Sequence, residues 1–423
     1  MSVVFVRGRN CGSRVRRART RRVMIALVAV GVLSAGCTSQ APQSDSASTP
    51  VTSNQTAPAI QTTPPPRSPG SGAVVEQSPA DDMYPAVAAT GARGFRVTYR
   101  STSGLDGSAV DVTGVVFAPP GPPPTGGWPV VTVGHATTGV ADDCAPSGSR
   151  TLLGNTDLVN SLLQRGFVVA LTDFQGLGTP DPHPYLEPNS AAFDVIDAVR
   201  AARVLIPEAS TRWVAIGTSQ GGQATWAAAE RAADYGSDLT FLGSADLSPA
   251  ADLSSYADDA GDLSLTQKLF VPLVVAGLRV LHPDLDPSAY YRGALAANQD
   301  ALTSCSAAAT LQKRSLITGI GKDDAAPRTP ADTDRMREWL RALVLPKNRT
   351  VGPMLVIVGE TDNLIEPAWT RAAVDRACAL GDVIDFRVRP GEGHANPKAV
   401  PEAVSWLVDR VENRPAPDTC APK

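Results

Sequence analysis

The chain has 423 residues, a formal charge of −4 and 43% hydrophobic residues, enough length and apolar content for a large buried core. An acidic balance makes nucleic acid a poor partner, and with four histidines, no Cys-x-x-Cys and no Cys/His cluster a zinc site is not expected.

Eight arginines between Arg7 and Arg22 precede an apolar run at 23–35 that is too short to span a bilayer comfortably and ends in small residues. Leu33-Ser34-Ala35-Gly36-Cys37 resembles the lipobox of bacterial lipoproteins. That resemblance implies that residues 1–36 are a lipoprotein signal peptide, cleaved before a Cys37 that carries the lipid. The product would be exported and anchored to the outer face of the cell membrane; an ordinary signal with an incidental Cys37 would give a secreted protein. Arg21-Arg22 also hints at twin-arginine export. Without residues 1–36, 30 basic residues face 42 acidic ones, a formal charge of −12. Membrane contact is therefore expected through the lipid and not through charge. Residues 37–80, rich in Ser, Thr, Pro, Gln and Ala, bury too little apolar surface to offset ordering entropy. They read as a disordered tether with an r.m.s. reach of roughly 35 Å.

From 81 to 423 the pattern is that of one α/β domain. Segments 95–99 and 110–117 read as antiparallel edge strands, 129–133 as a buried strand, 157–165 as a helix and 167–171 as a strand. A helix is predicted over 189–205, capped by Asn189 or Ser190, then strand 212–216, helix 223–231 and strand 239–244. This alternation specifies a mostly parallel sheet with helices on both faces. Residues 250 to about 345 break the rhythm: 263–281 is apolar and helix-like but interrupted by Pro272, and 284–292 is turn-rich. An insertion there is expected to form a helical cap over the site, the alternative being an extra layer with no gating role. Strands resume at 354–358 and 383–388, and a last helix runs from 401 to about 411.

Gly217-Thr218-Ser219-Gln220-Gly221 lies where strand 212–216 must turn abruptly into a helix. Such an elbow strains the central residue, requires glycine where neighbours close in, and aims helix N-terminal N–H groups at the serine. A serine hydroxyl needs a base. Of His135, His183, His282 and His394, only the last two follow Ser219, and His282 falls inside the insertion. His394, in Gly391-Glu392-Gly393-His394, follows the last strand and is the candidate base. Asp362, just beyond strand 354–358, is the candidate acid that orients it, with Glu360 and Glu366 as competitors. For the oxyanion, the Gln220 N–H is one expected donor and Ala136 or, preferably, Thr137 the other. His135 is expected to shape its loop. The segment 173–178 reads as a pocket-lining loop and not a phosphate loop, and the pairs Asp142-Asp143 and Asp323-Asp324 as solvated faces. No cofactor is called for. Once Cys11 leaves with the signal and Cys37 takes the lipid, Cys144, Cys305, Cys378 and Cys420 remain for two disulfides, in any of three pairings.

Taken in order, Met83-Tyr84-Pro85, Gly134-His135-Ala136-Thr137-Thr138-Gly139, Cys144-Ala145-Pro146-Ser147, Gly217-Thr218-Ser219-Gln220-Gly221-Gly222, Gly359-Glu360-Thr361-Asp362 and Gly391-Glu392-Gly393-His394 resemble the secretory lipase family of α/β hydrolases. The resemblance covers most of 84–420. It implies hydrolysis of carboxylic esters on acyl chains or acylglycerols, a helical cap, and the pairings Cys144–Cys305 and Cys378–Cys420. The lipobox and tether depart from it and leave open whether the substrate is free lipid, envelope lipid or a soluble ester. Acyl transfer by the same residues, or a lipid-binding surface lipoprotein with a vestigial elbow, are the competing functions.

Overall fold

The computed structural model describes residues 64–316 and 318–420. The expected signal peptide, Cys37 and the expected tether up to residue 63 lie outside them.

Among the described residues, nine strands form a single sheet: β1 (Val74–Pro79), β2 (Arg93–Thr102), β3 (Ala109–Ala118), β4 (Trp128–Gly134), β5 (Val168–Thr172), β6 (Ala209–Thr218), β7 (Thr240–Leu247), β8 (Met354–Gly359) and β9 (Ile384–Arg389), in the spatial order 1-2-3-5-4-6-7-8-9. The first three are antiparallel to their neighbours, and 5-4-6-7-8-9 are parallel. Among the described residues, eight helices have nine or more residues: α1 (Thr156–Gln164), α2 (Pro188–Leu205), α3 (Gln220–Arg231), α4 (Leu265–Leu281), α5 (Ala307–Leu316), α6 (Pro330–Leu343), α7 (Pro367–Leu380) and α8 (Val400–Val411).

The parallel strands are buried on both faces, which is why they read as unbroken apolar runs. Val130, Val168, Ala170, Trp213 and Ala215 pack under α2, α3 and α7. Their alternates Val131, Val133, Val169, Val214 and Ile216 pack under α1 and α8. This is the α/β-hydrolase architecture expected from the sequence, including the antiparallel pairing of β2 with β3.

Four local expectations change. The boundary at 80 falls too late, because β1 pairs with β2 and the Ser68 N–H donates to Thr102 Oγ1 at 3.0 Å. Val74 is the strand's half-buried residue and the rest are exposed, so no apolar alternation announces it. The cap of α2 is Glu187, whose carboxylate accepts from Asn189 and Ser190 N–H, not Asn189 or Ser190. Pro272 does not interrupt α4, which starts on a capping box between Ser264 and Gln267 and runs through the proline. Asp324 is not a solvated face: it accepts from the Gly321 and Ala294 N–H groups and braces the insertion.

The insertion between β7 and β8 holds α4, α5, α6 and shorter helices around its own core of Tyr256, Val271, Val274, Leu278, Met336 and Leu340. That core extends into Tyr185 and Leu186 on one side and Leu364 and Ile365 on the other. Cys144 is joined to Cys305 and Cys378 to Cys420, the pairing the resemblance implied. Beyond β9, the Thr419 N–H donates to the Ile384 carbonyl at 2.7 Å, and the Phe386 N–H donates to Thr419 Oγ1 at 3.0 Å.

Candidate active site

β6 passes into α3 in one step, and Ser219 between them takes φ 58°, ψ −114°, a region that non-glycine residues avoid. The turn closes because Gly217 and Gly221 lack side chains. A Cβ on Gly217 would collide with the Gly221 carbonyl, and one on Gly221 with the carbonyls of Gly134 and His135. The main chain of Ser219 is held from both directions: its N–H donates to Leu247 O at 2.8 Å, and its carbonyl accepts from Ala250 N–H at 3.1 Å. The hydroxyl is thereby fixed at the C-terminal edge of the sheet, over the first turn of α3.

His394 and Asp362 meet Ser219 there. His394 Nδ1–H donates to Asp362 Oδ2 at 2.8 Å, leaving Nε2 3.0 Å from Ser219 Oγ with its lone pair free to accept the hydroxyl proton. Asp362 Oδ1 accepts from the N–H groups of Leu364 and Ile365, each at 2.9 Å. Both lone-pair faces of the carboxylate are therefore engaged, and its side chain is fully buried. The two loops are stitched together, since Thr361 N–H donates to Glu392 O and Gly391 N–H donates to Glu360. Glu360 is spent on that contact, and Glu366 sits beside Gln267, 3.5 Å away, so neither competitor reaches His394. The Ala395 N–H donates to the Ser248 hydroxyl and steadies the imidazole loop from the end of β7.

Gln220 is the first residue of α3, where no preceding carbonyl exists for its N–H. The loop bearing Ala136 and Thr137 follows β4 and packs against Gly221. Thr137 and Tyr185 share a 2.7 Å contact between hydroxyls. His135 is buried with Nδ1 2.7 Å from Ala136 O and Nε2 3.2 Å from Asp173 O, an arrangement that ties this loop to the one after β5. Within 173–178, Phe174 and Gln175 line a small cavity with His183 and Gln220, while the buried Asp173 carboxylate accepts from Ser147 N–H and Thr113 Oγ1. Sequence reasoning missed His183, Tyr185 and Gln267. Gln267 Nε2 lies 3.4 Å from Leu364 O, and Ser264 Oγ donates to Asn363 O at 2.7 Å, so α4 is fastened to the loop that bears Asp362. The capping-box spacing Ser264-x-x-Gln267 was the available signal. Among the described residues, one group of potential metal ligands is close enough to share an ion, Asp143 with Cys144 and Cys305, and its two sulfurs are bonded to each other.

The profile of the secretory lipase family matches residues 147–419. The chain belongs to the secretory lipase family. Membership makes it an ester hydrolase of the lipase and esterase type and places it among exported proteins. Candida antarctica lipase A in its closed state superposes with a TM-score of 0.68 at 18% identity, over 83% of this chain and 85% of that one. A ligand-bound rice cell wall degrading esterase from Xanthomonas oryzae gives 0.64 at 20% identity, over 82% and 98%. A protein from Legionella pneumophila gives 0.58 at 16%, over 80% and 97%. These likenesses concern the fold. No curated protein matches the chain in sequence. Among the described residues of this family member, no helix is long and apolar enough to cross a membrane.

Proposed function

We propose that the chain is a serine carboxylic-ester hydrolase acting on acyl esters or acylglycerols through an acyl-enzyme. Ser219 Oγ attacks the ester carbonyl while His394 Nε2 takes its proton, and Asp362 holds the imidazole in the required tautomer and stabilises the imidazolium. The oxyanion accepts from the Gln220 N–H and from Thr137 on the opposite loop. His394 returns the proton to the departing alkoxide, and water then attacks the acyl-enzyme by the same route and releases the carboxylic acid. One observation carries the reading: His394 lies between Ser219 at 3.0 Å and Asp362 at 2.8 Å, across 175 and 32 residues of chain respectively.

A fluorophosphonate probe should label Ser219, and the full chain should turn over p-nitrophenyl esters in a series from acetate to palmitate. Absence of both labelling and turnover would leave a lipid-binding lipoprotein as the better account. The lipobox-like Leu33 to Cys37 supports a tethered enzyme acylated at Cys37 on the outer face of the cell membrane. Cys37→Ser should move activity from the membrane fraction to the medium; activity that stays membrane-bound rules out that anchor.

A further inference from the structure

The loop between β5 and α2 reaches both sides of Ser219. His135, Phe174, His183 and Tyr185 form a row of buried rings with centroid separations of 4.8, 6.4 and 6.0 Å. The row is braced from α2, where the Gln175 N–H donates to Asp194 Oδ2 at 2.7 Å. Two members of it touch the residues assigned to the oxyanion. His183 Nδ1–H donates to the Gln175 carbonyl at 2.6 Å, which leaves Nε2 as an acceptor, and Gln220 Nε2–H donates to it at 2.8 Å. The Tyr185 hydroxyl meets the Thr137 hydroxyl at 2.7 Å. A third tie, from Gln223 Nε2 to the Leu186 carbonyl at 3.1 Å, fastens the same loop to the first turn of α3.

Resting on the assignment of Ser219, Gln220 and Thr137 made above, we infer that His183 and Tyr185 are positioning residues for the oxyanion hole, each fixing one of its two halves through a single hydrogen bond. Oxyanion donors act by being aimed before charge develops, so what holds them in place matters as much as their identity. The bond to His183 keeps the Gln220 side chain in one rotamer beside its own backbone N–H, and Thr137 is only half-buried on its loop. Burial pushes the His183 imidazole down to about 4, so the ring stays a neutral acceptor in ordinary buffers. The insertion leans on the same loop: a Cβ on Gly277 of α4 would collide with the Tyr185 backbone. Loop, insertion and oxyanion side thus form one packed unit.

The test uses the full-length enzyme with p-nitrophenyl butyrate and a trifluoromethyl ketone, whose adduct with serine carries the oxyanion. Tyr185→Phe removes one hydroxyl and His183→Leu removes the acceptor. Each should lower kcat by about tenfold and weaken the ketone by the same factor, with KM within about twofold, as expected for an interaction made only in the transition state. His183→Gln, whose amide oxygen can occupy the place of Nε2, should recover kcat to within about threefold of wild type. Should His183→Leu fail to fold, Tyr185→Phe decides alone. Variants that melt normally and keep kcat within twofold overturn the inference, and so does a loss of kcat with unchanged ketone affinity. Ser219→Ala is assayed in parallel. Turnover surviving in that variant removes the underlying site assignment and the inference with it. An inactive Ser219→Ala beside fully active His183→Leu and Tyr185→Phe removes the inference alone.

Discussion

The two flanks of Ser219 are built differently. On the imidazole side, the His394 side chain keeps 19% of its surface exposed, Gly391 and Gly393 face open space, and Ala395 takes a left-handed φ of 53°. On the proposed oxyanion side, Thr137 is half-buried, but His135, Phe174, His183, Tyr185 and Gln220 are all 5% exposed or less. The contrast fits the tasks proposed for the two flanks. A base that takes a proton from one oxygen and hands it to another needs access and some freedom to reorient. Donors that wait for charge to form need none, and any freedom weakens them.

The most severe way to break the comparison is at its centre. Ser219→Ala should lower kcat/KM for a short p-nitrophenyl ester by on the order of 10⁴–10⁶-fold with the melting temperature within a few degrees; a loss below a hundredfold would place the nucleophile elsewhere. Asp362→Asn comes next, with about 10⁴-fold in kcat, because an amide can hold the imidazole in the wrong tautomer. Glu366→Gln should change kcat less than threefold, and equal effects at the two positions would remove Asp362 from its assigned role.

A milder test asks whether the exposed flank borrows rigidity from the insertion. Gln267→Leu keeps the volume but leaves the Ser264 N–H without its partner and the Leu364 carbonyl with only the Tyr256 hydroxyl at 3.5 Å. It should lower kcat by roughly threefold to tenfold and stability by about 1–3 kcal/mol. An unchanged kcat in a destabilised variant would make this contact purely architectural.

The smallest effect concerns pH beneath the elbow. Asp246 on β7 is fully buried, accepts from Thr225 Oγ1 at 2.6 Å and Ser244 Oγ at 2.8 Å, and burial pushes its carboxyl up to about 7. In the unfolded chain the same group ionises near 4. The protonated, folded form is therefore favoured at low pH, and stability drains away as pH rises from about 4 to about 7, by on the order of a few kcal/mol. Asp246→Asn cannot ionise, so the difference in urea midpoint between pH 5 and pH 8 should shrink. An undiminished difference would assign that pH dependence to other buried acids such as Asp194 and Glu230, whose carboxyls burial also raises.

The parallel strands were legible because burial on both faces writes short apolar, β-branched-rich runs at 129–133, 167–171 and 354–358, each bounded by turn residues or by a predicted helix. Ser219, His394 and Asp362 were legible for another reason: each sits in a glycine-punctuated loop just past a strand, in one fixed chain order. The edge strand β1 was not, since five of its six residues face solvent and carry no pattern. Nor were His183 and Tyr185. Their roles depend on a loop folding back beneath α3, and nothing local to 183–185 distinguishes a buried acceptor from a surface histidine. Gln267 lies between these cases, since its capping box marks a helix start without revealing which loop that start touches.

The short stretch Asp418–Cys420, pinned to α7 by the Cys378–Cys420 bridge, lies along β9 and occupies part of its outer backbone. An open rim of this kind is where a foreign strand would add on, the route by which copies of a sheet protein join into larger assemblies. The opposite rim presents Glu76 and Pro79, both poor recruits for such joining. Replacing Cys378 and Cys420 together by serine would thus unblock one rim and leave the other guarded, so that variant should show oligomers in light scattering while its turnover stays near that of the parent.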